Sequence, residues 1–152
     1  MSLENQVAVI TGGGRGIGLA CARALAADGA SVVIATPEDD EREAAVEEFS
    51  TANTPVLGLD TDVSDEEQVR HMAAATLERF GRIDILVNNA GIIGPTLPLH
   101  EIERADWDAV MAVNLTGVYL CARAVVPQML SQGSGRIINI SSVAGKIGFA
   151  LR

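Results

Sequence analysis

At 152 residues the chain is long enough for one domain with a sizeable core and too short for two ordinary ones. Hydrophobic residues make up 48%, which excludes a disordered chain. A net charge of −9 with a single lysine excludes the clustered basic surface that nucleic acid needs, and a small-molecule binder or enzyme fits better.

Met1-Ser-Leu-Glu-Asn-Gln leads straight into the strand pattern Val7–Ile10, so no signal peptide is expected. No apolar run reads as long enough to span a membrane, which points to a cytoplasmic location. The glycine-rich turn Thr11–Gly18 follows. Ile17, Ala20, Cys21, Ala24 and Leu25 then recur at helical spacing until Asp28-Gly29. Ser31–Ala35 is a second strand. A helix from Glu41 to about Ser50 carries acidic residues in its first turn, where the helix dipole favours them. Pro55–Leu59 is a third strand. Ser64 to Glu67 reads as a capping box for a helix with Val69, Met72, Ala73, Thr76, Leu77 and Phe80 on one face. Ile83–Val87 is a fourth strand. One long helix then places Trp107, Val110, Met111, Val118, Cys121 and Val125 on a stripe. Ser131 to Gly135 is a turn, and Arg136–Ile140 is a fifth strand. Cys21 and Cys121 are too few for a disulfide framework and read as small core residues.

The strands are continuous apolar runs, as in parallel strands covered on both faces. Five βα repeats predict an α/β fold with a doubly wound parallel sheet, the Rossmann fold, in its N-terminal five-strand portion. No linker, internal repeat or low-complexity tract interrupts it.

The glycine turn sits between strand and helix, which is what gives it meaning. Gly12 and Gly13 permit a tight turn, Gly16 lets backbone approach a pyrophosphate, and Gly18 lets helix pack on strand. The helix N-terminus offers free N–H groups and partial positive charge to phosphates. Asp62 stands at the carboxyl end of strand three, where ligands bind in such sheets, and could instead bond local backbone. Asn88 to Gly91 forms a polar turn after a buried strand. Asn114 lies on the apolar stripe of its helix. A buried amide there needs partners or costs roughly 1–3 kcal/mol, so it reads either as a structural amide bonding backbone or as a functional group. Ser141 and Ser142 follow strand five as turn residues or as site residues. His71 and His100 read as surface residues.

The spacing Gly-x3-Gly-x-Gly resembles the short-chain dehydrogenase/reductase family. Asp62-Val63, Asn88-Asn-Ala-Gly91, Asn114 and Ser142 match that family's later motifs in order, so the resemblance covers the whole chain. It is most similar to the branch that includes the 3-oxoacyl-carrier-protein reductases. The resemblance implies an NAD(P)-dependent oxidoreductase that moves a hydride between nicotinamide and a carbonyl or secondary alcohol. Cofactor binding would fall to Gly12, Arg15, Gly16, Ile17, Gly18, Thr36, Asp62, Val63, Asn89, Ala90 and Gly91. Asp62 would meet the adenine amino group, and Asn89 to Gly91 would line the adenine-ribose side. Ser142, immediately before Val143, would hydrogen-bond the substrate oxygen. Asn114 would help position a water in a proton relay, and the loop from Gly94-Pro95 to Leu99 would border the substrate pocket. Tyr119, within the long helix, is not at the family's catalytic position. Among cofactors, Thr36 replaces the acidic residue usual at the end of strand two in NAD enzymes. Arg15 resembles the basic residue that faces a 2′-phosphate, so NADP is favoured over NAD. Glu38, Asp39 and Asp40 read as an exposed helix start. No metal is expected.

The family's catalytic tyrosine, followed four residues later by a lysine, belongs beyond Arg152; the only lysine here is Lys146. Residues 1–152 therefore read as a Rossmann domain incomplete at its C-terminal side. The activity is expected of a longer parent, a homo-oligomer (tetramer or dimer) acting on a small carbonyl or alcohol, with no nucleic-acid or membrane partner. The 152-residue chain alone is expected to be inactive and poorly soluble, with Ile137, Ile138 and Ile140 on an open strand edge. The alternative is an inactive nucleotide-binding regulatory or scaffold protein.

Overall fold

The computed structural model describes residues 2–147. The expected end of the family resemblance near Arg152 lies outside the described residues. In chain order the elements are β1 Val7–Thr11, α1 Gly16–Ala27, β2 Ser31–Ala35, α2 Asp39–Thr51, β3 Val56–Leu59, α3 Glu66–Phe80 and β4 Ile85–Asn88. They continue with α4 Arg104–Met111, a π-helical segment Ala112–Thr116, α5 Gly117–Gln132 and β5 Arg136–Asn139. The strands form one sheet in the order β3-β2-β1-β4-β5, and every pairing is parallel.

The apolar strand runs are explained by the two cores they feed. Val9, Val33 and Leu86 point to one face, against Val69 and Met72 of α3 and Cys121, Val125 and Met129 of α5. Ala8, Ile10, Val32, Ile34 and Val87 point to the other, against Ala22 of α1 and Ala45 and Phe49 of α2. Successive strand residues alternate faces, and both faces are dry, so every position must be apolar. This is the expected doubly wound sheet. Strand order reverses between β1 and β4, so the connections leaving those two strands diverge and open a crevice at their carboxyl ends.

Among the described residues β5 pairs with β4 alone, and all four of its residues are exposed. Ile137, Ile138 and Ile140 are 38%, 44% and 38% exposed.

Local details differ from expectation in four places. The α3 cap is Asp65, whose carboxylate accepts from the N–H groups of Glu67 (2.8 Å) and Gln68 (3.2 Å). The Ser64–Glu67 capping box does not form, because the Ser64 hydroxyl donates to Asp62 instead. β4 begins at Ile85 rather than Ile83. The Asp84 carboxylate accepts from the Val7 N–H at 2.9 Å, and the Gln132 side-chain amide brackets the backbone of Ile83. The long helix is interrupted by the π-helical segment, where the Gly117 N–H reaches back to the Ala112 carbonyl. That extra residue rotates the buried stripe: Cys121 and Val125 stay buried, while Trp107 is half-exposed. The continuous helical stretch Arg104–Gln132 is, by length and composition, apolar enough to cross a membrane, contrary to the sequence reading. Here its apolar residues Leu120, Cys121, Val125 and Met129 pack on the sheet and α3. Cys121 is a core residue, its thiol pushed up to about 12 by burial, and Cys21 is half-buried.

Candidate active site

The crevice at the carboxyl edge is a cleft of about 580 Å³ between the glycine turn, the end of β2, the loop after β3 and the turn after β4. Its walls are joined by Thr11, the last residue of β1. The Thr11 hydroxyl accepts from the N–H groups of Asn89 (3.0 Å) and Ala90 (3.1 Å) and donates to the Val87 carbonyl (3.3 Å). The Asn89 side-chain amide returns across the gap and donates to the carbonyls of Thr11 (2.9 Å) and Gly12 (3.0 Å). Thr11 was not singled out from sequence. Its one signal is a polar residue ending an otherwise apolar strand, 1% exposed in the fold.

Gly12 has φ +60°, and a Cβ there would stand 3.0 Å from the Ala90 Cα, so both conformation and space require glycine. Gly18 does not line the cleft. It lies beneath the turn, where a Cβ would meet the Asn89 amide at 2.5 Å, so it packs helix on strand as expected. Arg15 occupies the cap position of α1 without capping it, which leaves the first-turn N–H groups free beside Gly16 and Ile17 in the cleft wall. Free amides at the positive end of a 12-residue helix suit a pyrophosphate.

The remaining residues assigned to the cofactor, namely Thr36, Asp62, Val63, Asn89, Ala90 and Gly91, line the same cleft. Asp62 does so while holding its own loop. Its carboxylate accepts from the backbone N–H (2.9 Å) and hydroxyl (2.7 Å) of Ser64. Thr36 is buried, its hydroxyl donates to the Glu38 carboxylate, and its carbonyl accepts from Arg42 at 2.8 Å. Glu38 is therefore not merely an exposed helix start: it lines the cleft, as does Glu41, whereas Asp39 pairs with Arg42. Arg15 forms an ion pair with Glu41 at 3.2 Å.

The two catalytic candidates stand at the margins. Asn114 sits in the π-helical segment and is exposed, not buried on a stripe as its spacing suggested. Its amide nonetheless bonds to backbone: it donates to the Ile92 carbonyl and accepts from the Ile92 N–H, both at 2.9 Å. Through these bonds the loop after Gly91 is tied to the helix. Ser142 is exposed after β5, and its hydroxyl accepts from the Ala144 N–H at 3.1 Å in a short 3-10 turn, Val143–Gly145. Neither residue is among those lining the cleft, although Ile92 and Val113 beside Asn114 are. β4 and β5 leave the sheet in register at Asn88 and Asn139, whose side chains are bonded at 2.9 Å, so the cofactor turn and the serine turn start from one paired point. His71, His100 and Tyr119 are exposed away from the cleft.

A family model described as short chain dehydrogenase matches residues 6–152. A 3-oxoacyl-[acyl-carrier-protein] reductase of Synechocystis sp. is 46% identical over 148 residues, covering 97% of this chain and 60% of the relative. A cis-4-hydroxycyclohexanecarboxylate dehydrogenase of Sinomonas cyclohexanicum is 42% identical, covering 98% of this chain and 59% of the relative. The solved structure of a metagenomic short-chain oxidoreductase in complex with NADP superposes with a TM-score of 0.93 at 42% identity, covering 99% of this chain and 68% of that one. Levodione reductase gives 0.92 at 42%, covering 97% and 58%. The chain thus spans about 60% of the length of the curated relatives it matches.

Proposed function

The chain belongs to the short-chain dehydrogenase family, and from that premise we propose that it supplies the cofactor-binding portion of an NAD(P)-dependent oxidoreductase. The observation that carries the proposal is the cleft at the strand-order reversal. There, uncapped α1 amides, a glycine turn and the Thr11–Asn89 clasp face one another. When bound, a nicotinamide dinucleotide supplies the hydride chemistry between its ring and a carbonyl or secondary alcohol.

The residues of this chain bind and orient. The first-turn amides of α1, with Gly12, Gly16 and Ile17, would hold the pyrophosphate. Asp62 and Val63 would border the adenine, its loop pre-set by the Ser64 hydrogen bonds. Asn89, Ala90 and Gly91 would form the floor. The Ser142 hydroxyl, with its acceptor side engaged by Ala144, keeps its proton to donate to a substrate oxygen. Asn114 would act as a positioning residue that fixes Gly91-Ile92 against the π-helical segment, and the resemblance adds a role in a proton relay. The chain spans about 60% of the length of its curated relatives, so the activity is proposed for the whole protein rather than for these residues alone. The relatives' names, a reductase and a dehydrogenase, support a carbonyl or alcohol as substrate; a homo-oligomeric parent in a cytoplasmic setting is proposed from the family resemblance alone.

Calorimetric titration of the chain with NAD⁺ and NADP⁺ tests the reading. Saturable binding of at least one, lost in Gly12→Val, is the expected result. Absence of binding of both at millimolar concentration would refute it.

A further inference from the structure

We infer that Glu41 sets how well this cleft accepts a dinucleotide phosphorylated on the adenosine ribose, by holding the one arginine that lines it. The inference rests on the dinucleotide reading above and goes beyond it by naming the residue that tunes cofactor choice.

In such sheets the ribose of the adenosine half meets the end of the second strand, and an arginine nearby receives a 2′-phosphate where there is one. In this chain that corner of the cleft holds Thr36, Glu38 and Glu41 from the end of β2 and the start of α2, with Arg15 from the glycine turn. Among the described residues, Arg15 is the only cation lining the cleft, and Glu38, Glu41 and Asp62 are its carboxylates. The other nearby guanidinium, Arg42, faces away: it donates to the Thr36 carbonyl at 2.8 Å and pairs with Asp39, and its side chain is 15% exposed. A phosphate in this corner therefore has Arg15 as its cationic partner, and Arg15 is already paired with Glu41 at 3.2 Å.

The position of Glu41 is not incidental. α2 packs its first turn directly onto the glycine turn: a Cβ on Gly14 would lie 2.9 Å from the Glu41 Cβ and 3.1 Å from its carbonyl carbon. Farther along, Ala45 and Phe49 anchor α2 in the core. The carboxylate is thus delivered to Arg15 by backbone packing. The pair itself is open to water, with side chains 76% and 32% exposed, so its partners exchange at little cost. A phosphate dianion can draw the guanidinium away, but it must compete with Glu41 for the arginine and approach the Glu41 charge. A 2′-hydroxyl faces neither requirement. Glu41 therefore penalises NADP(H) selectively and leaves NAD(H) unaffected.

The test is calorimetric titration of the wild-type chain, Glu41→Gln, Arg15→Ala and the double variant with NADP⁺ and NAD⁺. Glu41→Gln is expected to tighten NADP⁺ binding by roughly 5- to 10-fold while NAD⁺ stays within about twofold. The gain is expected to shrink clearly in the Arg15→Ala background, to the part that comes from direct repulsion between Glu41 and the phosphate. Glu41→Ala, checked with Glu41→Gln for an unchanged melting temperature, repeats the measurement in case glutamine re-forms a bond to Arg15. An equal change for both nucleotides, no change, or a gain undiminished without Arg15 overturns the inference while leaving the dinucleotide reading intact. Binding of neither nucleotide by any of the four proteins overturns both.

Discussion

Thr11→Val is the most informative single change. Valine keeps the shape and β-branching of threonine, so strand β1 and its packing are preserved and only the hydroxyl is lost. That hydroxyl accepts from two backbone N–H groups, at 3.0 and 3.1 Å, and donates to one carbonyl. The residue is 1% exposed, so water cannot replace the hydroxyl at its own position. Leaving a buried donor unsatisfied costs about 1–3 kcal/mol. Asn89 and Ala90 are only half-buried, which puts each donor near the lower end of that range. With the carbonyl lost as well, the sum is about 2–4 kcal/mol, a large share of the stability of a domain this size. Urea unfolding followed by far-UV circular dichroism reads it directly, as a lower midpoint at unchanged slope. Because the clasp joins the two walls of the cleft, dinucleotide affinity is expected to fall as well. Thr11→Ser restores the hydroxyl and is expected to recover most of the loss. A Thr11→Val variant within about 0.5 kcal/mol of wild type would refute the claim that this hydroxyl holds β1 and β4 together at the site.

Two further outcomes are expected. The Asp65 carboxyl is held below its usual range by the N–H groups of Gln68 and Glu67, so its ionised form is favoured in the folded chain. The helix stabilisation it gives is complete above about pH 4, the ordinary aspartate value, and is lost as pH falls through the lower folded value. Asp65→Asn, a cap without a charge, is expected to flatten that part of a melting-temperature profile between pH 5 and about 2, and an unchanged slope would show that the cap charge is not responsible. Ile138→Lys, on the exposed β5 edge, is expected to reduce concentration-dependent association in sedimentation velocity without lowering the urea midpoint, as a charge blocks edge pairing. Equal association of both proteins would mean that another surface drives it.

Local pattern alone carried the architecture. Ala8, Val9 and Ile10 in succession leave no polar face, so the chain must cover both sides of β1, and the helical repeats between strands provide the cover. The turn from Thr11 to Gly18 was legible because its glycines lie next to one another in sequence and their spacing constrains one backbone path. Spacing was a poorer guide to Asn114. A single extra residue in the π-helical segment turns its side chain out of the buried stripe and onto the Ile92 backbone, and periodicity carries no trace of that residue. Ser64 and Asp65 are both good caps by type, and the choice between them depended on Asp62 claiming the serine hydroxyl.

The features that make the cleft a specific site came from tertiary structure. The Thr11 hydroxyl meets Asn89 and Ala90 across 78 and 79 residues, and Glu41 reaches Arg15 only because α2 seats on Gly14. From sequence, Arg15 resembles a basic residue that faces a 2′-phosphate, and Glu38 reads as part of an exposed helix start. In the fold the first is paired and the second lines the cleft beside Thr36. The amino-acid sequence by itself determined that a doubly wound sheet presents a dinucleotide turn, because propensity and hydrophobic period act over a few neighbouring residues. Which charges line the cleft is a property of packing between elements distant in the chain, and only the assembled sheet and its helices decide it.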